Sequence, residues 1–475
     1  MRMGQSKLVD REMGIEQQPV RLPALVPIFL VVLLGSLLVT PLQAQDGGAG
    51  AENAAAEDTQ SDESPPNVEN TGPTENFSGN DQNPSVMLRD IEKRRTQKDA
   101  LFSVELLGPF HDNAASWHGR LYDETNIKLG TSVHHLFQWL SESLPGTDDW
   151  GTATDVDIIG TWEAVNPGEP NQGALTLHLE NRWDWGTTGP MAIGSSSLGM
   201  LQNTGNTFDK YVPVTIIRNL YWQMGGPKSK WALRLGKVTI DGILGTTRHL
   251  TPNTSCLSFA CTGAFVIGLP DSAFGAVGVW HFNDRVKLLG SIHDANGDRH
   301  DWGDITEGDF FTALDLGVKI WPRTENAGYS KMTLWHTDGT SDGKPINGST
   351  GVEGWGYYLL HEQELSNDGN VVAIFKWGHA FDGSAYFSKQ ASASFLLYDP
   401  HWFGTLSNDS TGISFNWVEP SAAGSRDESG VEVWYKFPLF PGVDTSFNYQ
   451  AIINPALDPN NDFASAFSIR FTTAF

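Results

Sequence analysis

Cysteine is almost missing from this chain. Among 475 residues there are two, Cys256 and Cys261, too few ligands for a metal framework. Positive charge is also scarce: 31 Lys and Arg face 56 Asp and Glu, a formal charge of −25. That balance argues against nucleic acid as a main partner, because phosphate recognition needs clustered Lys and Arg. Hydrophobic residues make up only 39%, and after residue 44 no apolar run reaches the roughly 18 residues of a helical membrane span. If the mature chain enters a membrane, it does so as a closed β-barrel, the other architecture that satisfies every backbone polar group in lipid. The carboxylates are scattered, so no catalytic pair, cofactor motif or metal site can be nominated, and no enzymatic activity is expected.

What the chain does have is 17 Trp, 25 Phe and 50 Gly. Many aromatics and glycines suit short strands joined by turns. Residues 1–44 read as a secretory signal peptide: Lys7, Arg11 and Arg21 precede the apolar stretch Ile28–Val39, and Leu42-Gln43-Ala44 offers a cleavage site. An uncleaved anchor is the alternative. Residues 45–85 are rich in Ala, Glu, Asp, Asn, Ser and Pro, a composition that buries too little apolar surface to offset ordering entropy. They read as a disordered acidic linker. Residues 86–100 read either as a short helix, with Leu88, Ile91 and Arg95 on one side, or as a solvated basic tail.

From residue 101 to 475 the texture changes to period-two alternation, the signature of strands. Phe467, Ile469, Phe471, Thr473 and Phe475 share one face, and Ser468, Arg470, Thr472 and Ala474 the other. Val443, Thr445, Phe447 and Tyr449 oppose Asp444, Ser446, Asn448 and Gln450. Val431, Val433, Tyr435 and Phe437 oppose Glu432, Trp434 and Lys436. Similar stretches recur upstream to about residue 127, which predicts about sixteen strands, an even and porin-sized number.

A β-sandwich also alternates, and a secreted carbohydrate-binding or glycoside-hydrolase sandwich is the soluble alternative. Three features favour a transmembrane antiparallel β-barrel. The sequence ends on Phe475 inside a strand pattern. Aromatics such as Trp377, Trp402, Trp417, Trp434 and Tyr435 recur near strand ends, as in the aromatic girdles of membrane barrels. The polar face carries Asp, Glu, Lys, Arg and Gln, which suits a wet interior.

Gly430-Val-Glu-Val-Trp-Tyr-Lys-Phe-Pro438 is followed by Phe447-Asn-Tyr-Gln-Ala-Ile-Ile-Asn-Pro455, with Leu233-Arg-Leu-Gly-Lys-Val238 upstream. This set resembles the carbohydrate-selective porin family, the OprB-like outer-membrane porins, over about residues 100–475. Pro420–Glu428 departs from the family, which has an Arg-Pro-rich segment there. The resemblance implies an outer-membrane location in a Gram-negative-type bacterium and passive diffusion of sugars and other small polar solutes. It also implies contact with outer-membrane lipid and hand-over to the barrel-assembly machinery through the Phe475 strand. Self-association is compatible with it. A non-selective or cation-preferring porin is the alternative channel.

Selectivity in such a channel comes from pore width, lining hydrogen-bond groups and charge. Strand phase nominates Glu432, Lys436, Asn448, Gln450 and Arg470 as lining residues, with Arg234 from the upstream strand. Asp241, Asp294, Asp298, Arg299 and Asp301 are further candidates. The long connection after the 231–238 strand carries Arg248, His249, Cys256 and Cys261, and lies either outside or folded into the barrel. A Cys256–Cys261 bridge would stiffen it; free thiols are the alternative.

Overall fold

The computed structural model describes residues 77, 79–210, 214–320, 327–404 and 406–475. The expected signal peptide, and the expected linker up to residue 76, lie outside them. Sixteen antiparallel strands close into one barrel, each paired with its neighbours in sequence, and β16 pairs back onto β1. They are β1 (Ile127–Leu140), β2 (Trp150–Val165), β3 (Gly173–Asp184), β4 (Thr215–Met224), β5 (Trp231–Thr239), β6 (Ser272–His281), β7 (Val286–Asp294) and β8 (Phe310–Ile320). The second half comprises β9 (Gly328–Thr337), β10 (Gly354–Glu364), β11 (Val371–Ala380), β12 (Phe387–Tyr398), β13 (Ser410–Pro420), β14 (Glu428–Phe440), β15 (Val443–Ile453) and β16 (Phe463–Ala474). Closure into one sheet rules out the sandwich alternative.

The expected number of strands is found because each strand alternates strictly enough to be read. On β16, Phe463 and Phe467 are exposed and Ala464, Ala466, Ser468, Arg470 and Thr472 are buried. The exposed face of the wall is apolar: Leu235, Leu314, Leu334, Leu359, Phe375, Phe415 and Tyr449 are each more than a third exposed. The interior face carries most of the buried charge. A water-soluble barrel has the reverse arrangement. Trp377 and Trp417 stack on the outer face with centroids 6.3 Å apart. Trp434, expected among the girdle aromatics, instead points inward and is buried, because its strand phase groups it with Glu432 and Lys436.

The two rims differ. Odd-to-even connections, such as 185–214 and 240–271, are mostly long, whereas the opposite rim has short turns and carries the chain before β1. Pro441-Gly442 is a two-residue turn there; Gly442 has φ +73 and lies against His111, where a side chain would collide with the imidazole. Helix α1 (Pro84–Arg95) begins behind Asn83, whose side chain accepts from Ser85 N, with Pro84 in the first turn. Its Val86, Met87 and Ile91 are buried, and Met87 and Ile91 pack with Ile159 and Ala474 inside the barrel. The segment expected as helix or tail is thus helical to Arg95. Residues 79–83, assigned to the linker by composition, are also buried. Asn83 accepts from Arg234 of the wall and Asp81 from Thr251 of the inward connection, a gain that composition does not register. Helix α2 (Gly108–Thr125) leads into β1, α3 (Pro190–Leu198) lies between β3 and β4, and the short α4 (Phe259–Thr262) between β5 and β6.

Candidate functional site

The barrel interior is built around connection 240–271. Arg248 is its single exposed residue; the other residues are buried or half-buried. Ile240, Ile243, Leu244, Phe259, Val266 and Ile267 pack with wall residues Val277, Phe311, Trp335 and Tyr358. Cys256 and Cys261 are joined in a disulfide within this segment, and both are buried.

A second set of contacts is polar. Burying a backbone N–H or C=O in the barrel requires a partner, and the wall side chains supply them. Glu432 accepts from Leu257 N at 2.6 Å, Ser258 N at 3.1 Å and Asn448 Nδ2 at 3.0 Å. Asn448 also donates to Ser255 O at 2.8 Å. Arg470 donates to Pro252 O and, at 3.0 Å, to Ser255 O. Gln450 donates to Thr204 O at 2.7 Å. Lys436 donates to Asn408 O at 2.8 Å, with Asp444 3.8 Å away. These five residues lie on the adjacent strands β14, β15 and β16, and four of them hold inward-folded segments.

Arg234 is placed elsewhere. It donates to Asn83 Oδ1 at 3.0 Å, Ser85 Oγ at 2.9 Å and Gln223 Oε1 at 2.8 Å. Its guanidinium lies between the rings of Phe77 and Tyr221, 4.3 and 4.7 Å from their centroids. It holds the N-terminal segment to β4 and β5.

Several interior groups escaped the sequence reading. Glu428 accepts from Leu201 N, Gln202 N and Ala456 N at 2.8, 2.8 and 2.9 Å. Lys331 donates to Thr246 O at 2.9 Å, and Lys376 to Cys261 O. The available signal was a charged residue flanked by outward apolar ones, as in Phe375-Lys376-Trp377.

A charged network spans β2, β3, β4 and the adjoining connections. Arg218 meets Asp271 at 2.9 Å and Asp241 at 3.1 Å; Arg182 meets Asp209 at 3.3 Å and Asp155 at 3.4 Å. Arg182 also pairs with Glu180, and Arg299 reaches Asp271 at 2.8 Å. Of the further candidates, Asp241 and Arg299 therefore join this network, while the backbone carbonyls of Asp298 and Asp301 receive Lys237 Nζ. Asp294, the last residue of β7, instead accepts from Asn296 N at 2.8 Å. In the connections, burial raises the Asp241 carboxyl above its ordinary range. Burial pushes Asp271 the same way, but Arg218 and Arg299 together hold it below that range. Oxygens of Asp155, Asp157 and Glu180 lie within 4.8 Å of one another, and Arg182 supplies positive charge to them. Cys256 and Cys261 also lie near Glu432, but as a disulfide they offer no thiolate ligand.

No protein-family model and no curated protein matches the chain. Solved structures do. A high-pH structure of Pseudomonas putida OprB superposes with a TM-score of 0.61 at 10% identity, covering 76% of this chain and 97% of that one. A low-pH structure of the same protein gives 0.48 at 8% identity, with the same shares. A mutant Rh. blastica porin gives 0.43 at 12% identity, covering 73% of this chain and 99% of that one. The first likeness supports a porin fold.

Proposed function

We propose that this chain is an outer-membrane channel for passive diffusion of small polar solutes, carbohydrates foremost. The observation that carries this reading is the inverted barrel: sixteen strands close with apolar side chains outside and most of the buried charge inside. Such a surface is stable where lipid replaces water. The fold shared with Pseudomonas putida OprB supports it.

The inward segments narrow the interior, and the wall side chains that hold them set the width available to a solute. Carboxylates, guanidinium groups and amides near the network can exchange hydrogen bonds with sugar hydroxyls without net charge transfer. Glu432, Lys436, Asn448, Gln450, Arg470 and Arg234 act here by fixing the walls of the path. Export across the inner membrane, insertion through the Phe475 strand and self-association belong to the same reading.

One observation favours the cation-preferring alternative. Asp155, Glu180, Asp209, Asp241 and Asp271 pair with Arg182, Arg218 and Arg299, five carboxyls to three guanidinium groups among the described residues. Liposome swelling with a graded series of sugars and size-matched amino acids tests the sugar reading, which expects faster swelling with sugars. Equal rates would overturn it. Reversal potentials in salt gradients test the alternative.

A further inference from the structure

Helix α2 has an apolar flank that the barrel does not cover. Side chains advance by about 100° per residue along a helix. His111, Ala115, His118 and Tyr122 therefore share one face, and it meets the barrel. The His111 ring lies 5.3 Å from that of Phe475, His118 is 2.6 Å from Arg95 Nη1, and Tyr122 donates to Glu163 at 3.0 Å. These contacts fall near both ends of the helix, so α2 runs along the short-turn rim rather than away from it. Phe110, Ala114, Trp117 and Leu121 lie about a quarter-turn to one side. Asp112, Ser116 and Asp123 lie on the other flank.

Phe110 and Trp117 are 47% and 49% exposed. The chain leading into the helix adds Phe102 and Val104, 51% and 57% exposed. Leu101 N and Phe102 N donate to Pro438 O and Leu439 O, and the Phe102 ring lies 5.6 Å from that of Phe440. Phe440 pairs with Val443, which shares the outward phase of Phe447 and Tyr449. The apolar surface at Phe102 thus meets the outer face of the wall at Phe440, two residues before Gly442, which lies against His111 next to Phe110.

We propose that α2 is an interfacial anchor: its Phe110–Trp117 flank lies among the headgroups and upper acyl chains of the leaflet at the short-turn rim. This rests on the membrane reading above. A helix whose apolar flank is left uncovered beside a lipid-facing wall fits the interface plane, and Trp prefers that depth. The occupant is a lipid surface because the apolar surface meets the outer face at Phe102 and Phe440, while the polar flank carries Asp112 and Asp123.

The test uses the full-length protein in phosphatidylethanolamine–phosphatidylglycerol vesicles. Trp117→Cys, Phe110→Cys, Asp112→Cys and Leu314→Cys each carry an environment-sensitive fluorophore; the bonded Cys256 and Cys261 leave the new thiol as the reactive one. Nitroxide placed near the headgroup end of the acyl chain should quench the labels at 110 and 117 severalfold more than the label at 112. Aqueous iodide should show the reverse order. Iodide quenching at 117 equal to that at 112 would overturn the proposal, since the flank then faces water. Shielding from both quenchers would also overturn it, since a second protein surface then covers the flank. The label at 314 sits on the outer wall. Without nitroxide quenching there, the membrane reading itself fails, which separates the two failures.

Discussion

Two arcs of the interior wall hold the same inward segment by different physics. Between β6 and β10 the wall presents Val277, Phe311, Trp335 and Tyr358, and contact is apolar packing against Ile243, Val266 and Ile267. From β14 through β16 it presents Glu432, Asn448 and Arg470, and contact with residues 252–258 is side chain to backbone hydrogen bonding; Gln450 beside them holds Thr204 of the β3–β4 connection instead. The first arc is non-directional and depends on volume. The second fixes each backbone group individually and is intolerant of a missing partner. One connection is thus set in position by one arc and in orientation by the other.

The largest effect should come from the apolar arc. Trp335 lies beside Gly268 and Gly356, and added side-chain atoms at either glycine would meet its indole. Trp335→Ala should therefore lower stability by about 3–5 kcal/mol, read by urea unfolding in detergent. A change under about 1 kcal/mol would show that the arc is not packed as a core. On the polar arc, Glu432→Gln keeps one acceptor but removes the charge near Arg470 and sets an amide donor against Leu257 N or Ser258 N. The expected loss is about 1–3 kcal/mol. A loss as large as that of Trp335→Ala would erase the distinction between the arcs.

A smaller effect concerns pH. Burial raises the Asp81 carboxyl to about 7, although a hydrogen bond from Thr251 at 2.7 Å opposes the shift. Because the folded form holds the proton more tightly than the unfolded chain, this group weakens the fold as pH rises from the ordinary carboxylate range to about 7. Protection of the backbone amides of residues 79–95 against hydrogen exchange, taken relative to the intrinsic rate at each pH, should fall across that window, and Asp81→Asn should flatten the response. An unchanged wild-type profile would show that the segment is held by other contacts alone. The smallest effect is expected at Tyr358. Its hydroxyl is buried without a hydrogen-bond partner among the described residues, so Tyr358→Phe should be neutral or slightly stabilising. A clear destabilisation would reveal a partner for the hydroxyl.

The polar arc was legible in the sequence and the apolar arc was not. Glu432, Gln450 and Arg470 stand in strict alternation with exposed aromatics, and period two alone turns them inward. Phe311 and Trp335 are apolar like their outward neighbours Leu314 and Leu334, so alternation marks no face for them. A uniformly wet interior was the natural expectation, and the apolar arc corrects it. Their inward placement follows from Ile243 and Val266, residues of a connection far away in sequence. The same limit explains why linker-like residues 79–83 are buried: Asn83 is fixed by Arg234, 151 positions later.

The inward connection also constrains the order of assembly. Segment 240–271 is synthesised before β14 and β16, yet its backbone groups are bonded by Glu432 and Arg470. The seam between β1 and β16 closes around it. The segment therefore reaches its final set of bonds only once the last strands are in place, and its disulfide restrains the loop that those strands must grip.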